Sequence, residues 1–290
     1  VDILSTRAVA EMLGVSEATV KRWSDAGTLR CFRTPGGHRK FRLRDVKSFL
    51  ADQETEALRA PAIAPPTTEL TVEQRDARQL ALAGDVDGLV SFVATHRLQG
   101  VTLSSIFDRY IGPAMNDIGE GWFQGKLSAA QEHIATAAIV DMIARVRPLL
   151  EKSGRSPRSD GNGRALCACL GEERHDLALR MVGLVLTAEG FQTSMLGATV
   201  PAGDLALMLS GSPPELLALS ASPHANLEAL RADLALVASA AAAVRTRVIV
   251  GGSGFDRIAP FPSNVTRFSN LEELVERLFR PGNLPQRQVS

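Results

Sequence analysis

Apolar positions recur along this chain with two different periods, and the change of period divides it into parts. In the first fifty residues Val9, Met12 and Leu13 share one face of a short helix, which Ser5 or Thr6 would cap and Gly14 would end. Ser16 would cap a second helix over 17–26, with Val20 and Trp23 facing the core and Gly27 as its stop. Two short runs, Leu29–Arg33 and Arg39–Arg42, then flank Thr34-Pro35-Gly36-Gly37-His38, a tip permissive in φ. Helix, glycine turn, helix and hairpin make a winged helix-turn-helix outline.

Helical periodicity returns from Thr71 to about Leu150, with helices expected over roughly 71–83, 85–97, 102–120 and 128–151. Asp85 and Thr102 suit helix starts, and Ser128 with Gln131 is a capping-box pattern. Four helices of this length make a small four-helix bundle. Beyond it, apolar runs at 164–170, 192–196, 215–220, 247–251 and 265–268 alternate with helix patterns at 177–189, 202–210, 226–243 and 270–279. That alternation predicts a Rossmann-like, doubly wound parallel sheet of about five strands. The chain is therefore expected to be multidomain, α and α/β: residues 1–50 the winged head, 51–70 a proline-bearing linker, 71–153 the bundle, 154–163 a Gly/Ser/Pro/Arg-rich linker, 164–282 the sheet domain and 283–290 a tail.

Charge changes the picture only in its distribution. Formal net charge is zero over 290 residues, yet residues 1–50 carry ten Lys and Arg against five acids, and the remainder carries the matching acidic surplus. A basic head on an acidic body predicts a polyanionic partner for the head. A hairpin ringed by Arg33, Arg39 and Lys40 could follow a phosphate backbone with Gly36, Gly37 and His38 at its tip. The second helix would then offer Thr19, Lys21 and Arg22 to the major groove of double-stranded DNA. Residues 4–50 resemble the MerR and excisionase winged helix-turn-helix on these residues.

No run of eighteen uncharged apolar residues appears, so no membrane span is expected, and Asp2 and Arg7 break any early leader-like run. Three cysteines fit a reducing cytoplasm better than a disulfide framework. Cys167 and Cys169 are expected on opposite faces of their strand, as buried small side chains and not as a metal site.

The residue with most chemistry to offer is His175. It follows the run Ala165–Leu170 and precedes a helix pattern, so it lies at the carboxyl edge of the expected sheet, where open α/β folds bind ligands. Glu173 or Asp176 could hold one imidazole nitrogen and leave the other to a metal. The segments Glu173-Arg174-His175-Asp176-Leu177-Ala178, Leu196-Gly197-Ala198-Thr199-Val200-Pro201, Ser220-Ala221-Ser222 and Gly251-Gly252 follow one another with the order and spacing of a corrinoid-binding domain, which they resemble. That resemblance implies cobalamin as cofactor and His175 as the lower axial ligand of cobalt. It also implies that the cofactor's nucleotide tail slots beside Ser220, Ser222, Gly251 and Gly252. Glu173 stands where that family has Asp, and Ala178 where it has Gly. His224 reads as a loop residue. Gly251-Gly252-Ser253-Gly254 lacks the position and spacing of a dinucleotide fingerprint.

In the bundle, Trp122 is followed nine residues later by Glu132-His133. By themselves these could be a core tryptophan and first-turn residues favoured by the helix dipole. With the head and His175, however, they resemble the MerR-type, adenosylcobalamin-dependent light-sensing transcription regulators, the CarH-like photoreceptors. In that family this helical cap lies over the upper face of the cofactor, which implies that Trp122, Glu132 and His133 line it here. Phe123 stands where some members carry a histidine. The resemblance implies a homo-oligomer, dimer or tetramer, bound to operator DNA as a repressor. Its upper ligand would be adenosyl, with methylcobalamin, hydroxocobalamin or another tetrapyrrole as alternatives. A cofactor-independent or ligand-sensing regulator is a second reading, and a corrinoid methyltransferase module a third. No Ser-His-Asp, zinc or P-loop signature points to an enzyme.

Overall fold

The computed structural model describes residues 3–13, 20–21, 24, 29–33, 37, 39–43, 45–46, 69–152, 163–223 and 225–279. The chain divides into two compact units, residues 1–69 and 70–290.

In the first unit, β1 (Ile3–Ser5) leads straight into helix α1 (Thr6–Leu13), and Ser5 Oγ accepts the Ala8 N–H at 3.1 Å as the cap. Strands β2 (Phe32–Arg33) and β3 (Arg39–Arg42) form the expected hairpin. β1 adds a third antiparallel strand that the sequence pattern did not announce, in the order β1-β3-β2. Val9, Ala10, Val20, Leu29, Phe41 and Val46 close the core. The expected second helix falls mostly outside the described residues, as do Trp23 and the linker and tail segments.

The bundle begins the second unit with α2 (Val72–Leu82) and α3 (Val86–Leu98). Thr71 and Gln74 form a reciprocal capping box on α2, Asp85 caps α3, and Thr102 caps the next helix through the Ser105 N–H. The expected single helix over 102–120 is instead three pieces: α4 (Leu103–Ile106), a π-helical segment (Phe107–Ile111) and α5 (Gly112–Phe123). Pro113 is the physical cause. It has no N–H to give the Arg109 carbonyl and its ring would press on that turn. The helix widens, the Gly112 N–H reaches back five residues to Phe107 O, and Arg109 O accepts from Gln74 Nε2 at 2.7 Å instead. α5 also runs three residues further than expected, so Trp122 and Phe123 lie on its last turn. After the Ser128–Gln131 box, α6 (Ala129–Lys152) completes the bundle.

The sheet domain has five parallel strands: β4 (Arg164–Leu170), β5 (Gln192–Val200), β6 (Leu216–Ser220), β7 (Arg247–Gly251) and β8 (Val265–Arg267), in the order β5-β4-β6-β7-β8. The chain moves outward from β4 to β5 and then crosses to β6, so the direction of winding reverses between β4 and β6. β4 is a continuous apolar run because it is covered on both faces. Leu166, Ala168 and Leu170 pack with α8 (Ala202–Gly211) and α9 (Leu227–Ala243). Ala165, Cys167 and Cys169 pack with α7 (Leu177–Ala188) and α10 (Leu271–Phe279). Cys167 and Cys169 thus share one face, contrary to the expectation above, because positions two apart on a strand always do. Burial pushes both thiols up to about 12, so they sit protonated as small core side chains.

β5 reaches Val200 and not 196, with register shifts against Cys167–Leu170 and positive φ at Gly197 and Thr199. These bulges bend the exposed edge strand and blunt it against further pairing. Helix α7 is buried from two sides. Leu179 and Leu186 face the sheet, while Met181, Leu184 and Val185 join the core of the bundle with Ala135, Ala138 and Met142. α7 therefore joins the bundle core to the core on one face of the sheet. Among the described residues no helix is long and apolar enough to cross a membrane.

Candidate functional site

The site is built where the winding reverses, from the turns that follow β4 and β6. β4 ends at Leu170 and its chain is pinned by two backbone bonds to the end of β5: Gly171 N–H to Val200 O, and Thr199 N–H to Glu173 O, both 2.9 Å. Between these pins the Glu173 side chain turns inward and is 3% exposed. Its Oε1 accepts two bonds of 2.8 Å, from the His175 backbone N–H and from His175 Nδ1. Its Oε2 accepts the Ser222 backbone N–H at 2.7 Å, across the reversal point. Burial pushes this carboxyl up, but the hydrogen bonds from His175 and Ser222 outweigh it and hold Glu173 below the usual carboxylate range. One buried charge thus ties the histidine loop to the turn after β6.

The imidazole itself stands outward, 68% exposed, with Nδ1 in the Glu173 bond. A histidine whose Nδ1 is fixed by a carboxylate has its ring plane set and Nε2 made more basic, the arrangement that metal-ligating histidines use. Asp176, the other candidate, does not hold the ring: both its oxygens go to Arg180, at 3.0 and 2.7 Å. Among the described residues no cluster of three or more His, Cys, Asp or Glu could hold a metal ion by itself. What His175 can offer is one ligand to a metal that brings its other ligands with it. A corrinoid is such a group, and the exposed ring at the carboxyl edge fits it.

The glycines after β7 have a steric reason. A Cβ on Gly252, at φ +90°, would lie 2.3 Å from the Ala221 carbonyl oxygen, and one on Gly254 would lie 2.4 Å from that of Ser222. The loop passes so closely that Gly254 N–H bonds to Ala221 O at 3.1 Å. Gly252 and Gly254 are thus what bring the turn after β7 against Ala221 and Ser222. Ser220 is buried at the end of β6, and Gly251 ends β7 beside it. Gly254 and Thr199 were visible only as members of their segments, the glycine run after β7 and Leu196–Pro201; the φ of +56° at Thr199 carried no signal, since it runs against the preference of a β-branched residue. A cavity of about 310 Å³ opens beside Thr199, lined by Leu196, Val200, Pro201 and Met208 among others.

The bundle residues are less engaged. Trp122 and Phe123 are 50% and 48% exposed at the end of α5. His133, 77% exposed, bonds through Nδ1 to Glu132, which also accepts from Thr136 Oγ1 at 2.7 Å, so both residues bond within α6. In the head, Lys21, Arg33 and Gly37 are exposed and Arg39 and Lys40 half-buried, while Thr19, Arg22, Gly36 and His38 lie outside the described residues, as does His224.

The chain matches the helix-turn-helix domain model over residues 3–54 and two B12-binding domain models, over 73–146 and 163–260. It is 30% identical over 234 residues to the HTH-type transcriptional repressor CarH of Myxococcus xanthus, covering 73% of this chain and 76% of that one. The chain belongs to the CarH-like family of cobalamin-binding helix-turn-helix regulators. It is also 28% identical to the repressor CarA of the same organism, over 75% of this chain and 76% of that protein. The monomethylamine corrinoid protein of Methanosarcina barkeri, 17% identical, has a similar fold over 69% of this chain and 93% of its own, with a TM-score of 0.52. Trp122, Phe123, Glu132 and His133 fall in the first B12-binding match, the sheet edge described above in the second, and the basic hairpin in the helix-turn-helix match.

Proposed function

We propose that this CarH-like regulator is a light-responsive transcriptional repressor of the cytoplasm that takes adenosylcobalamin as its chromophore and binds operator DNA as a homo-oligomer. The observation that carries the cobalamin half is the Glu173–His175–Ser222 network, which presents one oriented imidazole at the reversal of winding. The work is divided by domain: residues 1–50 bind DNA, 71–153 cap the cofactor and 164–282 hold it. His175 would hold cobalt through Nε2, since Nδ1 is in the Glu173 bond. Glu173 and Ser222 hold the ring, and the turns carrying Ser220, Gly251 and Gly252 receive the nucleotide tail. Asp176 supports this loop from the start of α7 through Arg180. Trp122, Phe123, Glu132 and His133 would cover the cofactor from the bundle side.

Bound adenosylcobalamin supplies a cobalt–carbon bond that light breaks. Trp122 would pack against the adenosyl group when it is present, and a change in that contact would separate two states of the protein. Thr19, Lys21, Arg22 and the Arg33–Lys40 wing, with Gly36, Gly37 and His38 at its tip, contact DNA. Several heads on one oligomer turn weak single-site binding into tight binding. The names of the CarH and CarA relatives support repression, and the B12-binding matches support the cofactor class.

The test is titration of apo protein with adenosylcobalamin in darkness, wild type against His175→Ala, followed by absorbance and gel filtration before and after green light. A spectrum showing histidine in place of the cofactor's own base, lost in His175→Ala with at least about tenfold weaker binding, is the expected result. Equal binding by the variant removes the axial-ligand role. Binding with no light-dependent change of mass leaves a cobalamin-sensing regulator and removes the photoreceptor reading.

A further inference from the structure

The C-terminal helix α10 belongs to the sheet domain, yet its first turn is completed by the bundle. Nine residues make a helix too short to hold itself together, and its leading N–H groups have no partner within it. Two of them, on Leu271 and Glu272, donate to the Asp108 carboxylate at 3.1 and 2.7 Å. Asp108 sits in the π-helical segment of the bundle, 163 positions earlier in the chain than Leu271. The next N–H, of Glu273, is taken locally by Asn270 Oδ1 at 2.7 Å. Glu272 returns the contact, accepting from Ser105 Oγ and, at 2.7 Å, from Arg109 Nη2. Leu271 and Val275 pack on the bundle core from the same helix, while Leu274 packs under the sheet. The widening forced by Pro113 places Asp108 and Arg109 on the segment that makes these bonds.

We propose that α10 is a relay of bundle position: Asp108 caps it from the bundle, so that displacement of the bundle uncaps and frays α10, and loss of α10 order in turn loosens the bundle. This goes beyond the cofactor reading and draws on it only for what displaces the bundle. Coupling of this kind is reciprocal by necessity, which makes it testable from both ends. Trp122 lies on the last turn of the helix that starts just after the π segment, about 21 Å along the axis from Asp108 at 1.5 Å per residue. A contact made at one end of α5 is thereby joined to the C-terminal helix at the other.

Hydrogen exchange read by mass spectrometry on the full-length protein decides it. Without cofactor, Asp108→Ala is expected to speed exchange in the peptide over 271–279 about tenfold, the usual loss for a missing helix cap, with Asp108→Asn intermediate. Glu272→Ala is expected to speed exchange over 103–111. The β6 peptide, 216–220, serves as the control for global unfolding and should not change. Unaltered α10 exchange in both Asp108 variants, or an effect from only one side, overturns the relay. So does an increase that spreads equally to β6. Hydroxocobalamin is then added to wild type. Failure to bind counts against the cobalamin reading alone, because the cofactor-free comparison stands without it.

Discussion

The loop after β4 and the end of α5 both carry residues that the sequence marked for one cofactor, but they are built in opposite ways. Glu173 is buried and holds three N–H groups drawn from His175 and from Ser222 on another strand's turn. Trp122 and Phe123 are half-exposed, and Glu132 and His133 bond within their own helix. The sheet edge is organised without any ligand, so a side chain held there loses little freedom on binding. The bundle end exposes apolar surface that a bulky partner would cover. Under the proposed function this division would leave one side of the cofactor fixed and the other able to take two packings.

Breaking the fixed side should have the largest effect. Glu173→Ala removes a buried acceptor from three donors at once, and it is expected to cost about 2–4 kcal/mol in chemical denaturation without cofactor. Little or no loss would mean that the loop is held by its backbone pins to β5 alone. Gly252→Ala comes next. Its methyl would sit 2.3 Å from the Ala221 oxygen at a backbone angle that disfavours side chains, and about 1–3 kcal/mol is expected. Cobalamin binding should fall in this variant as well, because the turns after β6 and β7 can no longer lie together.

The charge on Glu173 can be separated from its shape by pH. Its folded carboxyl lies below the ordinary value of 4.5, so the ionised form is favoured by folding. The stability it gives is fully present above that value and is lost as pH falls through the lower folded value. Denaturation midpoints of wild type and Glu173→Gln should therefore converge as pH drops below about 4.5. Parallel curves across that window would show that the carboxylate charge contributes nothing.

The same contrast explains what could be read from the chain. β4 and β7 have the expected bounds because their sequences are unbroken apolar runs ended by glycine, a signal that depends on no distant residue. The presence of an acid beside His175 was also legible. The choice of Glu173 over Asp176 was not, because both are within two positions of the ring and the deciding contact is the Ser222 N–H, 49 positions away. The break in the third bundle helix had a visible cause in Pro113, but its position depends on Gln74 satisfying Arg109 O from another helix. The unusual φ of Thr199 was silent because it is imposed by the bulged edge strand against local preference.

The smallest effect should come from the cap. His133 is 77% exposed and its ring bonds only to the neighbouring residue among the described contacts, so His133→Ala is expected to leave cofactor-free stability within about 0.5 kcal/mol of wild type. Its consequence should appear once cobalamin is bound, as a changed absorption spectrum or a changed rate of response to light. The sheet-edge variants lose stability in the free protein and binding together; the cap variant should separate the two. If His133→Ala destabilised the free protein as much as Glu173→Ala, the bundle end would be as fully built as the sheet edge, and the two-packing account of the upper face would have no free surface on which to act.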